Sequence, residues 1–143
     1  MIGALVAKRA IKSAFEALNE GNLDKFTKAW SKDFIFIYPG RVKAGGKFTG
    51  SVDARSWFEN FIMQFPQRKF TINRVGVTNM FDMAGNNTIF AELNVELTNK
   101  SGYNCSNSGI SMIRLKKGKV VSAEDFLRMI DGEEYEKGWE DFD

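Results

Sequence analysis

Two residues combine the right chemistry with unusual company. Asp125 lies in KVVSAEDFLRMI, where the side chains of a strand alternate between faces. Val121, Ala123, Asp125, Leu127 and Met129 then share one face, and Val120, Ser122, Glu124, Phe126 and Arg128 share the other. Asp125 is the one charge on the apolar face. A carboxyl enclosed by apolar groups resists ionisation, so its pKa rises unless a cation or donor compensates. A raised pKa is what a general acid or base needs near neutral pH. A plainer alternative is a strand-edge Asp paired with Arg114 or a lysine. The second residue is Tyr38, which ends the face Phe34, Phe36, Tyr38 in DFIFIYPG, with Ile35 and Ile37 behind it. Both faces are apolar, so both are expected to be covered. Two readings stand for the phenol. It is the polar group inside an apolar pocket, or it is a core aromatic whose hydroxyl reaches the rim.

The rest of the chemical inventory is mostly exclusion. The 143 residues contain no histidine and one cysteine, Cys105. Cys–His zinc sites, Ser–His and Cys–His catalytic pairs and His-ligated haem are therefore impossible within one chain. No metal site is expected, and acid–base work falls to Asp, Glu, Tyr, Lys or water. A phosphate loop needs G-x-x-x-x-G-K-[ST]. Gly40 and Gly45 have that spacing, but Gly46 intrudes before Lys47, and Phe48 follows it. That motif is rejected, and no cofactor is expected.

The charge of +2 hides an asymmetry. Residues 131–143 hold seven acids and one lysine, leaving 19 bases and 11 acids in the other 130. The bases are scattered, which describes a solvated surface better than a nucleic-acid footprint. No apolar run approaches the ~20 residues of a membrane span. In MIGALVAKRAIKSAF the apolar run precedes Lys8, Arg9 and Lys12, the reverse of a secretory signal. The expectation is a cytoplasmic protein with neither nucleic acid nor membrane as partner. The acidic tail is read as disordered or as a short terminal helix. Tyr135, Trp139 and Phe142 are its apolar anchors, on its own body or on a neighbour.

These groups need elements to position them. Ala4, Ala7, Ile11, Ala14, Phe15 and Leu18 recur at helical spacing, with Gly21 placed to end the helix. Asn22 caps a short second helix bearing Leu23, Phe26, Ala29 and Trp30. The DFIFIY strand follows, then a glycine-rich loop. Ser51 is expected to cap a third helix with Trp57, Phe58 and Phe61 on its inner face, ended by Pro66. The period then changes to two, and residues 69–81, 87–98, 107–116 and 119–130 read as four strands joined by hairpin turns. The order α-α-β-α-β-β-β-β is α+β, with helices packed on one face of a curved, mostly antiparallel sheet.

Three segments carry a resemblance: ALNEGNLDKFTKAWSKDFIF, GKFTGSVDARSWFENF and IRLKKGKVVSAEDF. Together they resemble the SnoaL-like, ketosteroid-isomerase-like group of the nuclear-transport-factor-2-like superfamily, in one domain over 1–143. The resemblance implies a cone, with helices closing a bent sheet around a pocket, and often a homodimer through the outer sheet face. It implies an apolar small-molecule ligand, handled by cofactor-free isomerase, cyclase or hydratase chemistry. Non-catalytic ligand binding and protein association occur on the same fold. The isomerase branch would place its catalytic groups at Tyr38, Ala14 and Ser111, and all three types differ here. The epoxide-hydrolase branch would place them at Glu92, Asn94 and Asp125, where only the last is retained. The implied site is Asp125 and Tyr38, in a pocket of Phe34, Phe36, Trp57, Phe61, Glu92, Asn94 and Ser111. On that reading Glu92 and Asn94 look into the cone, and the stripe Ala91, Leu93, Val95, Leu97 faces a second subunit.

Overall fold

A computed structural model describes residues 2–40, 42–128 and 132–139. α1 (Ile2–Glu20) buries Ala7, Ile11, Phe15 and Leu18 on one stripe. It ends at Gly21, whose φ of 75° is the left-handed conformation of a helix cap. There Asn22 N–H donates to the Ala17 carbonyl at 2.8 Å. Asn22 then caps α2 (Leu23–Thr27), its side chain accepting from Lys25 N–H at 3.1 Å.

Trp30 was expected on that helix and instead opens β1 (Trp30–Tyr38). Val120 N–H donates to the Ala29 carbonyl at 2.8 Å, and Trp30 pairs with Val120. Strand pairing thus takes the backbone before another helical turn can form. The expected glycine-rich loop contains a short strand, β2 (Gly46–Thr49), antiparallel to β1. Ser51 is the first residue of α3 (Ser51–Gln64) rather than its cap. Gly50 holds the cap position, and its N–H donates to the Phe34 carbonyl at 2.8 Å. The entry angle of α3 is set by the strand edge, without a capping side chain.

β3 (Gln67–Val77), β4 (Asn87–Thr98), β5 (Asn104–Lys116) and β6 (Lys119–Leu127) complete a six-stranded sheet. Its order is β2-β1-β6-β5-β4-β3, antiparallel except where β1 runs parallel to β6. Register shifts at Ile72/Arg74 and Arg114/Leu115 mark bulges, which bend and twist a sheet locally. α1 and α3 pack on the inner face. The last element, α4 (Gly132–Lys137), forms where the acidic tail begins. It docks on its own body, burying Tyr135 and Trp139. Phe142 and Met129 lie outside the described residues. The class is α+β as expected, with β2 and α4 added to the order.

Alternation on β4 decides which face is core. Ile89, Ala91, Leu93, Val95 and Leu97 are buried, while Asn94 and Glu96 are exposed and Glu92 is partly so. Glu92 and Asn94 therefore point away from the cone, contrary to the expectation drawn from the epoxide-hydrolase comparison. Glu92 pairs with Arg74 at 2.8 Å on the outer surface. A one-residue offset in that comparison is enough to move every side chain to the other face. The stripe that was to face a second subunit is the core itself.

Candidate functional site

The inner sheet face, α1 and α3 enclose a cavity of about 1020 Å³. Phe34, Phe36, Trp57, Phe58, Phe61 and Leu93 are among its apolar walls. The rings form a continuous network, with Phe36 and Tyr38 each 4.8 Å from Trp57 between centroids. Tyr38, Ser111, Asp125 and Tyr135 bring polar atoms to this lining. Ala14 lines it too. Exposed residues of the lining, including Val6, Met83, Lys28, Lys117 and Lys119, define a mouth.

Sheet register assembles the polar group. Asp125 pairs with Ser111 across β6 and β5. Ile37 pairs with Glu124 across β1 and β6, which sets Tyr38 next along the same row as Asp125. Three adjacent strands thus supply Tyr38, Asp125 and Ser111. Asp125 keeps some accessible surface, and that surface opens onto the cavity. Burial pushes its carboxyl up to about 6; the Ser111 hydroxyl, donating to it, offsets part of this, and the Glu124 charge adds to it. Among the described residues no cation pairs with Asp125. Arg114, the partner considered from sequence, is exposed and sits opposite Ser122.

Tyr38 does not end at a wet rim. Its hydroxyl lies 2.5 Å from that of Tyr135, contributed by α4. Burial, and then the partner phenol, raise the Tyr38 pKa well above the ordinary value. Tyr135 is raised too, chiefly by burial. Asp125 adds to the rise in both. Both are therefore neutral phenols at physiological pH. One hydroxyl of such a pair donates to the other, so one proton is left for a third group. Sequence reasoning saw Tyr135 only as an apolar anchor.

α4 is fixed by close contacts. Asn99 donates to the Gly138 carbonyl at 3.2 Å, and a Cβ at Gly138 would lie 2.4 Å from Cys105 Sγ. Trp139 stacks on Phe61 and meets the edge of Phe65, with centroids 5.7 and 4.7 Å apart. Among the described residues, no three His, Cys, Asp or Glu side chains gather as a metal site would require. Chemically, the arrangement among the described residues is a carboxyl with a hydroxyl donor but no cation, beside neutral phenols in an apolar enclosure.

Solved structures with this architecture include Bal32a from a soil-derived mobile gene cassette, 14% identical, with 97% of each chain covered and a TM-score of 0.75. A Mycobacterium tuberculosis protein in complex with estradiol-17β-hemisuccinate is 14% identical, with 90% of this chain and 95% of that chain covered and a TM-score of 0.73. An LEH-like epoxide hydrolase of M. tuberculosis is 15% identical, with 91% and 84% covered and a TM-score of 0.70. At these identities the likeness is one of fold. No curated protein matches the chain. The sequence itself matches the SnoaL-like domain over residues 11–123. The chain thus belongs to the SnoaL-like domain family.

Proposed function

We propose that this protein is a cytoplasmic pocket protein that takes up an apolar, cyclic or carbonyl-bearing small molecule. It carries out cofactor-free proton transfer or addition of water on that ligand. Asp125 is the acid–base group, and the Tyr38–Tyr135 pair is the hydrogen-bond donor to the oxygen on which charge develops. The observation that carries this reading is Asp125: a carboxyl on an apolar cavity wall, raised to about 6 and facing neutral donors. A group poised there changes protonation close to working pH. The steroid ester bound by the mycobacterial neighbour supports the size and polarity of the ligand class.

The test is turnover of a panel of cyclic β,γ-unsaturated ketones and apolar epoxides by the wild type and by Asp125→Asn. With Asp125 as base, kcat/KM rises about tenfold per pH unit below about 6 and levels off above it. Asp125→Asn removes about 10²–10⁴ of the rate, the usual range for a lost general base. Tight binding without turnover anywhere in the panel would instead favour a non-catalytic ligand carrier.

The proposal extends to a homodimer through the outer sheet face. The buried β4 stripe no longer supports one, but Phe90, Ile110 and Phe126 stay exposed there, the last at 51%. Ile110 pairs with Phe126, and Phe90 sits on the next row. Sedimentation velocity would show a single dimeric species; a monomer at about 50 μM would remove this extension, since stable dimers bury far more apolar area than a lone contact.

A further inference from the structure

The mouth of the cavity carries a surface that the chemistry above does not use. Two apolar pieces meet there. Leu5 and Val6 are exposed on the first turns of α1, and the β3–β4 loop presents Phe81 at 76% and Met83 at 85% exposure. The pieces are adjacent: a Cβ on Gly3 would lie 2.5 Å from the Asp82 carbonyl oxygen. The loop has a fixed build. Asn87 Oδ1 accepts from Asn79 N–H at 3.0 Å, and Asn87 Nδ2 donates to the Asn79 carbonyl at 2.8 Å. Asp82 Oδ1 accepts from Ala84 N–H at 3.2 Å. A loop held in this way keeps Phe81 and Met83 turned outward, where side chains of that size are normally covered by a partner.

The same rim is basic. Lys25, Lys28, Lys117 and Lys119 line the mouth. The turn bearing Lys117 and Lys119 is fastened to the apolar loop, with Lys117 N–H donating to Asn86 Oδ1 at 2.9 Å and Gly118 N–H to the Gly85 carbonyl at 3.0 Å. Among the described residues of the lining, Asp82 is the one acid at this end. A partner for this surface must accept protruding apolar side chains and be negatively charged around them. It must also leave the apolar cavity open to something it can receive.

We infer that the rim docks the protein on an anionic lipid surface, with Phe81 and Met83 entering the interface and the lysines over the headgroups. A bilayer meets all three requirements at once. It accepts apolar groups at the depth of its acyl boundary, it attracts lysines laterally, and it holds apolar molecules that pass into the cavity without crossing water. The expectation of no membrane partner rested on the lack of a spanning segment, and surface docking needs none. No helix among the described residues is long and apolar enough to cross a membrane. Docking stands independently of whether the cavity is catalytic.

The experiment is co-sedimentation of the full chain with sucrose-loaded vesicles of phosphatidylcholine alone, or with about 30 mol% phosphatidylserine. Binding is expected to be at least about tenfold tighter to the phosphatidylserine vesicles and to collapse at about 0.5 M salt, where charges are screened within a few ångströms. The exposed pairs Phe81→Ser with Met83→Ser, and Lys117→Glu with Lys119→Glu, should each weaken it about tenfold or more while circular dichroism stays unchanged. Absent binding, binding indifferent to phosphatidylserine, or binding undiminished by both pairs of substitutions overturns the inference. So does a protein that ignores vesicles yet binds polyglutamate through the same lysines, which would assign the rim to an acidic polypeptide.

Discussion

Asp125→Asn is expected to make the protein more stable at pH 8, by about 2–3 kcal/mol, while removing the proposed acid–base group. The folded state holds the Asp125 proton more tightly than the unfolded chain does, with a pKa of about 6 against an ordinary 3.8. Each unit of difference corresponds to ~1.4 kcal/mol. Between those two values the native state carries more protons, so this group's contribution to stability falls as pH rises. The contribution is most favourable below about 4, declines up to about 6 and is flat above. Asparagine keeps the shape and can still hydrogen-bond Ser111, but never carries the charge. Its advantage should therefore vanish at pH 4 and be full at pH 8. Urea unfolding of both proteins at the two pH values measures it. A variant no more stable than wild type at pH 8 would mean that the carboxylate is compensated in solution, and the proposed base would lose its physical basis.

Trp139→Ala should cost about 3–5 kcal/mol, the usual range for deleting a fully buried aromatic. Trp139 is 0% exposed and packs against Phe61, Phe65, Trp57 and Tyr38. The helix beside it, Gly132–Lys137, has six residues and is too short to persist undocked. Losing the indole should release the segment and take the Tyr135 hydroxyl away from Tyr38. Cys105 gives a local readout. Burial raises its thiol to about 11, and Gly138 lies against its sulfur. Reaction with a maleimide at pH 8 should be slow in the wild type and faster by about tenfold or more in the variant, as the thiol returns toward its ordinary range. Unchanged Cys105 reactivity together with unchanged unfolding would show that α4 is held by contacts other than Trp139.

Signals within a few residues survived the passage from sequence to structure best. The alternation of Phe34, Phe36 and Tyr38 put all three on the inner face, and Asp125 was visible as the odd charge on an apolar strand face. β2 was missed because GKFT has one apolar side chain and exists as a strand only through its ladder to β1. Trp30 suits a helix face and a strand equally well, and the pairing with Val120 decided it. On β4 the plain alternation of apolar and polar residues was the better guide, whereas the distant epoxide-hydrolase comparison pointed Glu92 and Asn94 inward, as a one-residue offset would. Tyr135 was out of reach, since its partner phenol lies 97 residues away and no local pattern encodes that meeting.

The aromatic network has one more property. The chain has three tryptophans. Trp30 stacks on Phe34 at 4.0 Å between centroids, Trp57 lies 5.8 Å from Trp139, and Phe58 touches both Trp30 and Trp57. Trp30 and Trp57 line the cavity, and Tyr38 and Tyr135 lie within excitation-transfer distance of Trp139. The intrinsic fluorescence is therefore one collective signal from a single compartment. If the cavity takes up the apolar ligand proposed above, that molecule lies beside an indole near Asp125, and its binding is expected to change the protein's own emission without a label.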